Sequence, residues 1–514
     1  MERMKVRTSI GAAALLALAL IVYYPAIWGG FVWDDDMLLT NNPNIRTVAG
    51  LIRTWTDPTA NTDYYPLTHS SWWLEYRIWG LNPFVFHLDN VLLHAATGIV
   101  FWLILRSLMI PGAWAAAAVF LVHPLHVESV AWVAERKNVL SGLFCLLAVW
   151  SFLRFALDES APAVRRRVFY GLSLLLFVSA LLAKPMTMAA AAVLPLLVWW
   201  KRGRLTRVDA LAVVPYFAVA APMATLTIWV QTNLVGATGK PFDLSFPQRT
   251  ILAGRALWFY AGKLAWPQDL TFAYSKWVLD ASLPYNYLYP GAAAVAVIAA
   301  AMIGRRSGRG PFVALCAFAI MLSPALGFFN VYWHRFYFVA DHMCYLAGMS
   351  LIALGAAAAA TVMKLSSPWG RTAGRGAAAL LVAVLGMLTW RQGGLYKDAE
   401  TLWRDTLRKN PTSWMANNNL GNILAVRGQA DDAIRHYQEA LRVYPDYDKA
   451  HNNLGTVLMG QGRREEAVLH FQEALRINPD YDKASQNLVR ALEALGREEE
   501  ADRQYRKALG LDPR

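Results

Sequence analysis

The chain has 514 residues, 56% of them hydrophobic, with three cysteines and a formal net charge of +13 at pH 7. Its apolar residues gather in long uninterrupted runs and its mean hydropathy is +0.29, which excludes an ordinary soluble domain and indicates a polytopic membrane protein. From Leu395 onward 18 Lys and Arg stand against 19 Asp and Glu, leaving net +14 on the residues before it; anionic lipid and topology signals account for that excess, and no basic-aromatic nucleic-acid motif is present.

The first apolar run, 9–28, follows Arg3, Lys5 and Arg7. It lacks a small-residue cleavage pattern and reads as an uncleaved anchor. Directly after it comes Phe31-Val32-Trp33-Asp34-Asp35-Asp36, three consecutive carboxylates whose repulsion and desolvation near a membrane call for a use. Further runs at 85–108, 112–130, 138–157, 168–183, 186–200, 208–230, 286–303, 311–329, 345–363 and 376–391 bring the expected spans to about 11. Residues 251–266 carry Arg255 and Lys263 two turns apart and suit an interfacial helix better than a span. With that segment excluded, the basic clusters Arg165 to Arg167, Lys201 to Arg204, Arg305-Arg306 and Lys364 to Arg375 share one side, the cytoplasm by the positive-inside rule. The N-terminus is then cytoplasmic. The carboxylates, Tyr64-Tyr65-Pro66, 123–137, Lys184-Pro185, 231–250, 331–342 and everything after Gln392 face the other side. Ionisable residues gathered in the loops of one face suit an enzyme at the outer leaflet better than a channel. Cys145, Cys316 and Cys344 lack metal-ligand spacing and read as inert core residues.

Composition changes at about residue 392, dividing a membrane body, 1–391, from a repeat domain, 392–514. Pro411, Pro445, Pro479 and Pro513 are 34 apart, as are Gly394, Gly428, Gly462 and Gly496, and Ala399, Ala433, Ala467 and Ala501. The pattern strongly resembles tetratricopeptide repeats, here a half repeat plus three, stacked as an α-solenoid. Trp403, Tyr437, Phe471 and Tyr505 take the large aromatic position, and Leu420, Leu454 and Leu488 fill the inner helix. Asn419, Asn453 and Asn487 recur at the same period, and an asparagine ladder can hold an extended peptide backbone by donating and accepting together. Asn also suits a solvated repeat position, and the sequence leaves the two readings level.

Within the body, Phe31 to Asp35 with Asn42-Pro43, Tyr65-Pro66-Leu67-Thr68, Gly80-Leu81-Asn82-Pro83, Phe86-His87-Leu88-Asp89-Asn90 to His94, and His123-Pro124-Leu125-His126-Val127-Glu128 to Trp132 resemble the transmembrane and tetratricopeptide repeat-containing O-mannosyltransferases and their bacterial relatives, over nearly the whole chain. The resemblance implies an all-α, GT-C-like helical body, a sugar donor on polyprenyl phosphate, and a polypeptide acceptor outside the cytoplasm. It aligns Asp34 and Asp35 with the family's paired acids, Asp34 as base and Asp35 as partner. It also points to a bacterial inner membrane, with membrane lipids around the body and the repeats in the periplasm.

Sugar transfer from a lipid phosphate to a hydroxyl needs a base and groups that stabilise positive charge on the sugar. The leaving phosphate needs cations, for which Lys184, Arg255, Lys263, Arg335 and His342 are candidates; Lys184 also reads as a snorkelling span end. Many relatives carry Asp-Arg where this chain has Asp341-His342, so phosphate binding there becomes pH-sensitive or moves to Arg335. His123, His126 and Glu128 could bind a divalent metal, though hydrogen bonds orienting the donor are the preferred reading. Glu135-Arg136-Lys137 either closes the same loop or is a solvated charge run, and His87 and His94 read as helix-packing histidines. Two rival functions stand beside the transferase: a non-enzymatic scaffold recruiting partners through its repeats, and transfer to a lipid or glycan acceptor.

Overall fold

The computed structural model describes residues 2–239 and 242–508. The side chains of Arg3, Lys5 and Arg306, and all of Pro513, lie outside the described residues. Those that are described form α-helices joined by turns, with no strand among them. The chain divides into two compact units, 1–272 with 276–399, and 273–275 with 400–514.

In the first unit, α1 (Glu2–Val22) and the short α2 (Tyr24–Ile27) lead into the carboxylate turn, followed by α3 (Val48–Thr56) and α4 (Pro66–Trp79). α5 (Pro83–Ser107) starts where Pro83 occupies the first turn and the Asn82 side chain accepts the Phe84 N–H at 3.2 Å, the usual chemistry of a helix start. α6 (Ala113–Val122) and α7 (Val127–Ala131) form a pair bent by 55° at His123-Pro124, because proline lacks an N–H and pushes the preceding residue out of helical geometry. α8 (Arg136–Leu157), α9 (Ala163–Ala183), α10 (Ala190–Arg202) and α11 (Arg207–Asn233) follow. α12 (Phe246–Ala265), α13 (Leu288–Ser307), α14 (Gly310–Leu322), α15 (Gly348–Leu365) and α16 (Pro368–Gly393) complete the body. Capping boxes at Thr206/Asp209 and Ser245/Gln248 set the starts of α11 and α12. The main core joins α5 and α8 to α11 through Ile104, Phe152, Phe177, Leu194 and Tyr216. Two of its buried hydroxyls are satisfied in series, Tyr216 donating to Ser173 Oγ and Ser173 to Ala148 O, each at 2.7 Å.

Of the eleven apolar runs, seven fold into helices long and apolar enough to cross a bilayer: Pro83–Ser107, Val133–Leu157, Ala163–Ala183, Arg207–Asn233, Pro284–Arg305, Gly348–Leu365 and Pro368–Lys397. The bent α6–α7 pair makes an eighth if it counts as one crossing. Val6–Val22 and Gly310–Ala325 are shorter apolar helices. α10 has 13 residues, a length of about 20 Å against a hydrocarbon core about 30 Å thick. α12, with Arg249, Arg255 and Lys263, is not among the candidate spans.

The boundary between units falls at Ala399/Glu400, whereas composition changes at 391/392. α16 runs on to Gly393 and the turn Gly394–Lys397 stays with the body, where Gly30 N–H donates to Lys397 O at 2.9 Å. In the second unit α17 (Ala399–Lys409) precedes three helical pairs: α18 (Trp414–Val426) with α19 (Ala430–Val443), α20 (Asp448–Gly460) with α21 (Arg464–Ile477), and α22 (Asp482–Glu493) with α23 (Glu498–Ala508). Gly428, Gly462 and Gly496 take φ of +76°, +77° and +71°, the left-handed turn that favours glycine. Gly394, the fourth glycine of that period, has φ −65° and makes no such turn. Gly421 and Gly455 face the large aromatics: a Cβ there would lie 2.8 Å from the Tyr437 ring and 2.7 Å from the Phe471 ring. The segment 273–275 joins this unit because Asn410 Nδ2 donates to Ala273 O at 3.0 Å and Ser275 Oγ to Asn410 Oδ1 at 2.9 Å.

Candidate active site

The three aspartates occupy one turn but three environments. Asp36 is exposed, Asp34 half-buried and Asp35 fully buried. Asp35 Oδ2 accepts the Val32 N–H at 2.8 Å and Oδ1 the Ala134 N–H at 2.7 Å, so its carboxylate pins the turn to the start of α8. Burial pushes its pKa well above the usual carboxylate range, against the pull of those two N–H groups and with Asp34 and Asp36 adding to the rise. Trp33 sits at φ +49°, uncommon for a non-glycine residue. Its ring stacks on Trp132 at 5.4 Å and meets Phe272 and Phe336 edge-on. That clamp aims the next residue, Asp34, into electrostatic reach of Lys137 and Tyr337.

Beside this turn lies a buried cluster. Glu135 Oε2 accepts from Lys184 Nζ at 3.0 Å, and Oε1 lies 3.1 Å from Lys137 Nζ and 3.9 Å from His342 Nε2. His342 is held in turn by Glu128: its N–H donates to Oε2 at 2.9 Å, and its Nδ1 lies 3.1 Å from Oε1, in ionic range but off hydrogen-bond alignment. The Lys137 ammonium lies over the Trp132 and Tyr65 rings at 5.7 and 5.9 Å. Asp63 adds a second carboxylate in reach of both lysines; burial raises its pKa and the lysines lower it. Burial lowers the pKa of Lys184 while Glu135 opposes the shift. The turn Tyr332–Arg335 is tied in through Gln231, which donates to Asp63 Oδ1 at 3.1 Å and accepts the Tyr332 N–H at 2.9 Å.

Lys184 and His342 therefore converge with Glu128 near Asp34 and Asp35, and Arg335 rides on the attached turn. Arg255 and Lys263 do not join them. Arg255 donates to Val278 O at 3.0 Å and lies over the Trp277 and Tyr289 rings, while Lys263 donates to Gln268 O and lies over Phe259. The run Glu135-Arg136-Lys137 is no solvated stretch. Arg136 is fully buried, with Nη1 2.5 Å from Glu75 Oε1 and 3.1 Å from Asp89 Oδ2, and it also donates to Asn90 and to Phe86 O. Lys137, Glu135 and Asp63 were not singled out as site residues from sequence. A charge triplet looks solvated until the fold buries it, although its place three residues after the His123-to-Trp132 motif is the signal that could have found two of the three.

His123, His126 and Glu128 do not form a metal cage. His123 Nδ1 accepts the Leu125 N–H, so its Nε2 donates to Leu264 O at 3.0 Å. His126 is packed among the rings of His94, Phe120, His123 and Tyr345, and Glu128 faces His342. Among the described residues no three His, Cys, Asp or Glu side chains are placed to hold a metal ion. His87 and His94 are packed and bonded, to Gly30 O and to Tyr345 Oη with Leu121 O.

In the repeats, the asparagine donors turn toward the neighbouring repeat. Asn453 Nδ2 donates to Asn418 Oδ1 at 3.2 Å and Asn422 Oδ1 at 2.9 Å, and Asn487 Nδ2 to Asn452 Oδ1 at 2.9 Å and Thr456 Oγ1 at 3.4 Å. Both amide protons of each are thereby used. Asn419 is half-buried and makes none of these bonds.

Tetratricopeptide repeat models match residues 412–480 and 458–514. The chain is 35% identical over 195 residues to protein O-mannosyl-transferase TMTC1 of Mus musculus, covering 34% of this chain and 20% of that protein. It is 32% identical over 177 residues to protein O-mannosyl-transferase Tmtc1 of Drosophila melanogaster, covering 32% of this chain and 21% of the relative. The chain thus spans about a fifth of the length of these relatives. A crystal structure of MamA matches 25% of this chain and 74% of its own at 25% identity, with a TM-score of 0.22. With its apolar helices, its tetratricopeptide repeats and its sequence matches to these relatives, the chain is an integral membrane protein that over about a third of its length is similar to protein O-mannosyl-transferases.

Proposed function

We propose that the protein is an inverting glycosyltransferase that moves a sugar from a polyprenyl-phosphate donor to a hydroxyl group of a polypeptide outside the cytoplasm. The observation that carries this reading is the pair Lys137 and Lys184 on one buried carboxylate, Glu135, beside the turn that presents Asp34. Two ammonium groups held this way form a site for a phosphate, where charge-assisted bonds are strong. Asp34 takes the proton of the acceptor hydroxyl as its oxygen bonds to the anomeric carbon. The anomeric carbon–oxygen bond to phosphate breaks with its electron pair going to the leaving polyprenyl phosphate, whose added negative charge Lys137, Lys184 and His342 receive. Attack opposite the leaving group inverts the anomeric configuration. Asp35 contributes by holding the turn through Val32 and Ala134. The names of the relatives make mannose the first sugar to test.

Acceptor presentation falls to the repeats, with Asn419 as the member of the asparagine column whose amide is open to a peptide backbone. The reading places the N-terminus in the cytoplasm and the repeats in the periplasm of a bacterial inner membrane. The test is transfer of labelled mannose from polyprenyl phosphate to acceptor polypeptide by the purified full chain. Asp34→Asn should lower kcat by about 100-fold or more, the range of general-base catalysis, with folding unchanged. Undiminished transfer would remove Asp34 as base. A scaffold would tolerate Asp34→Asn and fail in partner capture on Asn419→Ala.

A further inference from the structure

The body contains a cavity of about 270 Å³ between α5, α8, α10, α14 and α15. Its walls include Leu105, Val149, Leu197, Ala314 and Ala353, and among the described residues the only charged side chain lining it is Lys201. Two features explain why it is there. α10 and α14 each hold 13 helical residues, about 20 Å of helix, so they leave the wall short of the thickness that the neighbouring spans cover. Pro111 and Met109, the latter at φ +53°, turn the chain sharply after α5 and hold the lip apart. Met109 is 85% exposed there.

The lip lies at the helix ends remote from the carboxylate turn: Lys201 closes α10, whereas Lys184 precedes it, and Leu108 follows α5, whereas Asp89 lies in its first turns. Lys201 is the cation on the lip itself, and Arg309 immediately precedes the lining residue Gly310 at the start of α14. Lys201 Nζ donates to Leu108 O, which leaves two further protons for a ligand. Arg309 lies over the Trp199 ring at 4.5 Å and its Nη1 is 3.4 Å from Trp199 O, so one face of its guanidinium is stacked and most of its donors remain unused. An apolar cavity with a cationic lip, among helices fit to cross a bilayer, matches one chemistry: hydrocarbon inside and an anion at the entrance.

We propose that the cavity takes one acyl chain of an anionic phospholipid, with its headgroup phosphate on Lys201 and Arg309, at the opposite membrane face from the transferase site. The lipid completes the wall that α10 and α14 leave short, and the two cations select anionic headgroups. The test uses the full chain purified in detergent, with native mass spectrometry after addition of phosphatidylglycerol or phosphatidylcholine bearing the same acyl chains. One phosphatidylglycerol should be retained in preference to phosphatidylcholine. Lys201→Gln with Arg309→Gln should cut that preference by about tenfold, and Ala353→Phe, which fills the cavity, should remove retention of both lipids. Ala314→Leu is the milder filling variant should Ala353→Phe fail to elute as a monodisperse species. Equal retention of the two lipids, retention unchanged in a folded filling variant, or one-for-one displacement by polyprenyl phosphate would each overturn the proposal.

Discussion

Three neighbouring aspartates differ because of residues far from them in sequence. Asp35 is buried by contact with Ala134, 99 positions along the chain, while Asp36 stays in solvent. The sequence showed that the turn carries concentrated charge, and its place after the first apolar run made it a candidate site. It could not show which carboxylate is spent on backbone, since that depends on tertiary contact. Asp35→Asn offers one oxygen where two N–H groups need acceptors, and turns an amide N–H toward a backbone N–H. We expect a loss of about 1–3 kcal/mol in stability, the cost of an unsatisfied buried donor. We also expect kcat to fall more than donor KM rises, because Asp35 accepts directly from the turn that carries Asp34, whereas the lysines proposed to meet the phosphate are held by their own ion pairs to Glu135. A raised KM with normal kcat would contradict a positioning role. Arg136 is the structural member of its charge triplet, and Arg136→Met leaves the buried Glu75 without its cation; thermal unfolding should report a loss of about 3–5 kcal/mol.

At the level of elements, the 34-residue period read directly as helical pairs because each recurring residue answers a local demand. Gly428, Gly462 and Gly496 supply positive φ, and Tyr437 and Phe471 pack on Gly421 and Gly455. Pairs 19 residues apart were not legible, since they form only when the two helices of a repeat pack. Asn417 with His436, His451 with His470 and Ser485 with Gln504 are bonded at 2.8, 3.0 and 2.9 Å. The middle pair titrates. His451 Nε2 donates to Pro445 O, leaving its Nδ1 to accept the His470 Nδ1–H, so a proton added to His451 Nδ1 sets donor against donor. Burial lowers the pKa of both rings; Glu473 opposes it at both and Glu466 at His470, while Arg476 adds to it at His451 and Arg463 at His470. With the folded values below the unfolded value of about 6.5, the unfolded state binds more protons in that window. The contribution of this pair to stability is therefore complete above about pH 6.5 and is lost as pH falls below it. Hydrogen exchange of the full chain should show α20 and α21 opening more readily at pH 5.5 than at 7.5, and His470→Asn should flatten that dependence. An unchanged pH response in His470→Asn would place its origin elsewhere.

Over the whole molecule, charge and hydropathy carried the division into an apolar basic body and a nearly neutral repeat unit, because both are sums over many residues. Span number was less legible: hydropathy marks an apolar run but does not tell a crossing from a short helix such as α10 or a bent pair such as α6 and α7. Orientation rests on the basic loops, and it decides whether the carboxylate turn and the repeats can serve one substrate outside the cytoplasm. Single cysteines in a background lacking Cys145, Cys316 and Cys344 can settle it. Ser160→Cys lies in the α8–α9 loop beside Arg165 to Arg167, Thr59→Cys in the exposed loop before α4, and Gln472→Cys on the outside of α21; all three positions are exposed. A membrane-impermeant maleimide added to spheroplasts should label Thr59→Cys and Gln472→Cys and spare Ser160→Cys, and inside-out vesicles should reverse the pattern. Because an even number of crossings between residues 59 and 160 would place those two cysteines on one side, common labelling of Thr59→Cys and Ser160→Cys would refute the orientation and remove the extracytoplasmic site with it.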